Sequence, residues 1–187
     1  MQTLTPPYSA HHTGESHSLW MDEKLQPFPP LTQNITTDVC IVGGGIVGLT
    51  CAYFLLKRGL SVAVIEAGSI GGGQSTRTTG HLAWALDDRY FDLATLFGLE
   101  GARMACDSHR EAIKVIEKII KEEQITCDFE KLDAYLFLAP EDSPTILQKE
   151  WETLQKMGIP VKKRERAPIQ SFDTGPCLQF PDHAQFH

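Results

Sequence analysis

Residues 38–66, DVCIVGGGIVGLTCAYFLLKRGLSVAVIE, decide the fold, because they read without interruption as strand, tight turn, helix and strand. Gly43, Gly45 and Gly48 have the G-x-G-x-x-G spacing of a dinucleotide-binding turn. Each glycine lacks a side chain for its own reason. Gly43 permits a sharp exit from the first strand, Gly45 lets the backbone approach a pyrophosphate, and Gly48 lets helix pack closely on sheet. The helix that opens here aims free N–H groups and its positive dipole end at the phosphates. Glu66, closing the second strand, is placed to accept hydrogen bonds from a ribose hydroxyl. A glycine triplet alone is weak evidence, and glycines can serve a tight turn only. Strand, helix and an acid about twenty residues on are the context that makes the motif specific.

The flanking residues agree with this unit. Gly48, Ala52 and Leu55 or Leu56 fall on one helical face, with small residues leading it. Lys57, Arg58 and Gly59 then supply cations and a glycine cap at the negative end. The run 61–65, SVAVI, has the β-branched character of a buried parallel strand. Beyond it, 68–82 (GSIGGGQSTRTTGHL) is long, polar and rich in Gly, Ser and Thr. That composition reads as a functional loop, suited to phosphate, ribose or a polar ring edge, with Arg77 able to pair with a phosphate. A solvated surface loop is the alternative.

Further along, 100–124 is an amphipathic helix with Ala105, Ala112, Val115, Ile116, Ile119 and Ile120 as its apolar stripe. Residues 129–130 and 134–138 read as two strands about a turn at 131–133. A second helix spans 143–157, with Ser143 as N-cap and Pro144 in first position. Short strands follow at 159–163 and 177–180. Residues 1–36 form an extended leader, since its prolines exclude a continuous helix. Trp20, Leu25, Phe28 and Leu31 are the residues able to dock it. His11, His12 and His17 read as solvated, and no metal site is expected.

Composition bounds the function classes. Across 187 residues the net charge is −7, so a nucleic-acid or anionic-membrane surface is not expected. No run approaches the roughly 18 apolar residues of a membrane span, and no secretory signal is visible. The five cysteines show no C-x-x-C pair, which suggests reduced thiols and a cytoplasmic setting. Cys40 and Cys51 read as small core residues.

The stretch VCIVGGGIVGLTCAYFLLKRGLSVAVIEAG, with the GG-rich loop and TTGHL, resembles the FAD-dependent oxidoreductases of the D-amino-acid oxidase and glycine oxidase superfamily. The segments SLWMDEKLQPFPPL, STRTTGHL and FPDHAQFH look like the branch whose bacterial members often carry a C-terminal Rieske domain. The resemblance runs from about Ser18 to His187. It implies FAD as cofactor and an α/β fold, with a Rossmann-like FAD/NAD(P)-binding unit and the start of an α+β substrate domain. The implied division is a leader to residue 36, an FAD-binding portion 37–125 and a partial substrate-binding domain 126–187.

Residue by residue, the resemblance implies that Gly43, Gly45, Ile46, Val47 and Gly48 wrap the pyrophosphate. Glu66 and Ala67 would meet the adenosine ribose. Ser75, Thr76, Thr78, Thr79, Gly80 and His81 match a segment running past the ribityl chain to the isoalloxazine ring. The implied chemistry is oxidation of a C–H bond beside an amine, as in amine and amino-acid oxidases, with the flavin doing the hard step. The family pattern continues beyond residue 187, so the chain is expected to be an incomplete, N-terminal portion that folds or binds FAD weakly alone. No iron–sulfur centre is expected, because the cysteine–histidine pairs of the Rieske branch are absent. Two alternatives stand beside this reading: a silent fragment or subunit needing a partner chain, and an NAD(P)-dependent dehydrogenase. Tyr90, Arg103, His109 and Tyr135 are catalytic candidates by residue type only, and no catalytic residue is assigned.

Overall fold

The computed structural model describes residues 18–21 and 27–186, so Leu25 and the leader histidines lie outside the described residues. The chain forms two compact units, Met1–Thr79 and Gly80–His187. In the first, β1 (Val39–Val42) and β2 (Val62–Ile65) pair in parallel, Val39 beside Val62 and Val42 beside Ile65. Helix α1 (Ile46–Lys57) makes the crossover. The strand entrances are fastened by a reciprocal pair, in which Ser61 N–H donates to Asp38 Oδ2 (2.8 Å) and Asp38 N–H to Ser61 Oγ (3.0 Å). The helix ends as its glycine requires. Gly59 has φ +81, and Leu60 N–H reaches back to the Leu55 carbonyl (3.2 Å).

Burial in this unit departs from the sequence pattern. Gly48 and Leu55 are half-buried around a buried Ala52, but Leu56 is exposed. Cys40 and Cys51, expected in the core, are both exposed, because β1 and α1 each have a face that nothing covers among the described residues. Phe28 and Leu31 are also exposed, so neither docks the leader.

The second unit is built on β6 (Cys177–Gln185), which has β4 (Glu130–Phe137) on one side. Its other pairings are with β3 (His81–Leu82) and β5 (Lys162–Arg164), all antiparallel. The expected two strands near 129–138 are one strand. Its register shifts between Leu132 and Ala134, where Pro181 and Asp182 form the extra length of β6. Proline, lacking an N–H, suits such a bulge. Asp182 takes φ +59 there, and the Pro181 carbonyl accepts from Trp84 Nε1 (2.7 Å). The edge strand β5 is Lys-Lys-Arg and exposed, which discourages further pairing.

Helix α2 (Tyr90–Glu122) starts ten residues before its expected position and breaks at Gly98 (φ +74). Of the expected apolar stripe, Ala105, Val115, Ile116, Ile119 and Ile120 are half-buried and Ala112 is exposed, while Ala102, Cys106 and Ile113 are fully buried. Helix α3 (Thr145–Lys156) begins one residue after Pro144, with Ser143 Oγ only a long acceptor for Thr145 N–H (3.4 Å). Before β5, Ile159 and Val161 are buried rather than paired. They join Trp84, Tyr90, Leu154, Met157, Leu178 and Phe180 in one core under α2 and α3.

Candidate functional site

The glycine turn is set by backbone geometry at Gly43 and by close contacts at Gly44 and Gly48. Gly43 N–H donates to the Ile65 carbonyl (2.8 Å), joining the ends of β1 and β2, and Gly43 has φ +108. A Cβ on Gly48 would stand 2.0 Å from the Gly43 carbonyl oxygen, so this position requires glycine. The middle glycine, Gly44, was not singled out by the spacing rule yet is also crowded, here by a side-chain end that can shift rather than by backbone. Its N–H donates to Glu66 Oε2 (2.7 Å), its carbonyl accepts from Gly71 N–H (2.9 Å), and a Cβ would meet Ile70 at 2.5 Å. Gly45 is the N-cap of α1 in extended conformation.

Glu66 is held by both oxygens, Oε2 on Gly44 N–H and Oε1 on Gly68 N–H (2.8 Å). The Gly44 amide, followed by that of Gly68, holds its carboxyl below the usual carboxylate range. Glu66 is therefore an oriented anion. Of the roughly four acceptor positions on a carboxylate, two are in use, which leaves capacity for sugar hydroxyls.

Within the first unit, residues 71–75 fold back over the helix start, Gly71 N–H reaching the Gly44 carbonyl. Within a 3-10 turn, Gln74–Arg77, Ser75 Oγ accepts from Ile46 N–H (2.9 Å), one of the free donors opening α1. Arg77 Nη1 donates to the carbonyls of Gly72 (3.1 Å) and Gly73 (2.8 Å), while its buried Nε has no hydrogen-bond partner. Val47, Ala67, Thr78 and Thr79 are exposed. Gly80 and His81 belong to the second unit, where the Gly80 carbonyl accepts from Phe186 N–H (3.1 Å) and His81 opens β3 opposite Gln185. The structure thus gathers Gly43 to Gly48, Glu66 and Ser75 in one place. Free helix-end donors, a fixed carboxylate, glycines with no room for a Cβ and an orphaned buried guanidinium N–H suit a ligand of phosphates and hydroxylated sugar.

The candidates named by residue type serve other ends. Tyr90 is buried, donates to the Trp84 carbonyl and has its hydroxyl pKa raised by burial. Arg103 pairs with Asp107 (3.5 Å), and His109 Nδ1 meets the Ala105 carbonyl (2.9 Å). Tyr135 is half-buried in β4. A cavity of about 360 Å³ between α2 and α3, lined by Phe91, Thr95, Lys149, Thr153 and Lys156 among others, includes none of them.

A family model described as DAO, FAD dependent oxidoreductase, matches residues 38–187. The chain belongs to this family. The DAO family is FAD-dependent, so the nicotinamide alternative gives way. A Bacillus subtilis (strain 168) protein named as a Rieske 2Fe-2S iron-sulfur protein, YhfW, is 36% identical over 163 residues, covering 87% of this chain and 32% of its own. Gamma-glutamylputrescine oxidoreductase of Escherichia coli (strain K12) is 35% identical over 136 residues, covering 72% and 32%. The chain therefore spans about a third of the length of these curated relatives. Among solved structures, glycine oxidase from Geobacillus kaustophilus superposes with a TM-score of 0.64 at 22% identity, over 80% of this chain and 40% of that one. That likeness supports the Rossmann-like DAO fold. No described helix is long and apolar enough to cross a membrane.

Proposed function

We propose that this chain holds FAD at the glycine turn, for an oxidoreductase of the amine or amino-acid oxidase type. The observation that carries the proposal is the Gly44–Glu66–Gly68 clamp beside the open N-terminus of α1. Gly43, Gly45, Ile46, Val47 and Gly48 would present backbone to the pyrophosphate, and Glu66 with Ala67 would meet the ribose. The Ser75–Ile46 contact favours the phosphate end for Ser75, with Thr76, Thr78, Thr79, Gly80 and His81 extending toward the ribityl chain and ring. When bound, the flavin supplies hydride acceptance; these residues supply position and charge complementarity. The functional division proposed is 37–125 for FAD binding and 126–187 for the start of a substrate-binding domain. The substrate class is an amine or amino acid, by likeness to gamma-glutamylputrescine oxidoreductase. Five free thiols support a reducing, cytoplasmic setting.

A second reading, a subunit needing a partner chain, is favoured by one observation. Val42, Ile46, Val47, Leu56 and Ile65 are all exposed around a parallel sheet, an arrangement that normally has both faces covered. A chain supplying the covering strands is the partner this implies. The test is the visible spectrum of the purified chain before and after adding FAD. A perturbed flavin band near ~450 nm supports the proposal. A folded chain that leaves the band unperturbed, with or without added partner, overturns it.

A further inference from the structure

We infer that residues 18–21 act as a strap that holds the cofactor loop in shape, making Ser18 a positioning residue for the flavin-binding segment. This rests on the FAD reading above. The segment forms one 3-10 turn, Leu19–Met21, closed by Met21 N–H donating to the Ser18 carbonyl (3.0 Å). That turn packs on the second 3-10 turn, Gln74–Arg77, and the Ser18 hydroxyl donates to the Thr76 carbonyl. Trp20 and Met21 are half-buried there.

The loop turn is thus held at three successive residues. Ser75 is tied to Ile46 N–H, Arg77 clamps the Gly72 and Gly73 carbonyls, and Thr76 is tied to Ser18, 58 positions upstream. The first two ties use the dinucleotide unit itself; the third comes from the leader. A loop containing Gly71, Gly72 and Gly73 in succession has unusual backbone freedom, so ordering it costs more entropy than an ordinary loop. Ile70 is the large apolar residue between Ala67 and Leu82, which gives the loop little hydrophobic anchorage of its own. A tertiary tie at Thr76 offsets part of that cost before any ligand arrives, and pre-organisation of this kind raises affinity without a new ligand contact.

The test uses the full chain, a variant lacking residues 1–21, Ser18→Ala and Ser18→Thr, with folding checked by circular dichroism. Without flavin, tryptic cleavage after Arg77 reports opening of the loop turn. Cleavage is expected to be about threefold to tenfold faster in Ser18→Ala, the effect of one hydrogen bond, and close to wild type in Ser18→Thr. The dissociation constant for FAD, read by flavin fluorescence, should weaken by a similar factor, and further in the deletion. Equal cleavage in folded Ser18→Ala and wild type would overturn the strap. Faster cleavage with unchanged FAD affinity would overturn the positioning role. If wild type binds no FAD, the FAD reading and the positioning role fail together, while the cleavage series still decides whether the strap holds the loop.

Discussion

Lowering the pH from 7 to 5 should cost the second unit about 2 kcal/mol through one side chain, His183. The bulge at Pro181 and Asp182 is followed by His183, which is 2% exposed and lies against the rings of Trp84 (5.3 Å) and Phe180 (6.4 Å). Its Nε2 is buried with no hydrogen-bond partner. Burial in this aromatic site lowers its pKa from 6.5 to about 4, and the nearby carboxylates Asp133 and Asp182 recover only part of the loss. Because the folded-state pKa is depressed, the neutral ring contributes stability that is complete above pH 6.5. That stability is lost as pH falls toward 4. The full preference corresponds to about 3 kcal/mol, of which about 2 is gone by pH 5. The assay is urea unfolding of wild type and His183→Phe between pH 7 and pH 5. Wild type should lose about 2 kcal/mol more than the variant across that range, whatever other groups contribute to both. Parallel profiles would refute the burial argument.

The remaining predictions concern named contacts. Gly48→Ala places a Cβ 2.0 Å from a backbone oxygen, so the turn must move; flavin fluorescence should show FAD binding lost, with roughly 1–3 kcal/mol of stability. Glu150→Ala should cost about 2–4 kcal/mol in urea, because Phe91 N–H (3.2 Å), at the start of α2, loses its buried acceptor. Glu150→Gln keeps an acceptor oxygen and should stay within about 1 kcal/mol. Burial raises the Glu150 pKa, so wild-type stability should decline as pH rises from the ordinary carboxylate range through the raised value, and Glu150→Gln should lack that slope. Glu66→Gln loses the charge that both Gly44 and Gly68 amides favour, and its FAD dissociation constant should rise about tenfold in a fluorescence titration. Glu66 has a lowered pKa, so its contribution is present above the ordinary carboxylate range and is lost as pH falls through the lowered value.

How much of this was legible depended on how far apart the cooperating residues lie. The strand–turn–helix–strand unit announced itself because each requirement sits within 38–66. Gly59, for example, both ends α1 and carries the positive φ that marks it. Gly44 was hidden because the Ile70 side chain that crowds it arrives only when the loop closes. The start of α2 was hidden for a related reason. Arg89, at its N-cap, makes no side-chain cap, and the acceptor for Phe91 N–H is Glu150, 59 positions downstream. The β4 strand looked like two because the charged Lys131 and Asp133 suggested a turn, yet a bulge in a distant strand absorbs the irregularity.

The misplacement of Cys40 and Cys51 has a different origin. Their neighbours alternate and repeat as fully buried elements do, and the pattern correctly gave a parallel strand and its helix. Yet Val42 is 86% exposed and Val47 75%, both beside the glycine turn proposed above to hold the cofactor. Parallel strands written in apolar residues on both faces are stable only when both faces are covered. Here the sequence pattern and the burial disagree on one side of one sheet. That disagreement places the missing apolar contacts on the outer face of β1 and the start of α1, next to the glycine turn. With FAD at the proposed site, any covering element docking there would be coupled to its binding, because ordering one orders the donors used by the other.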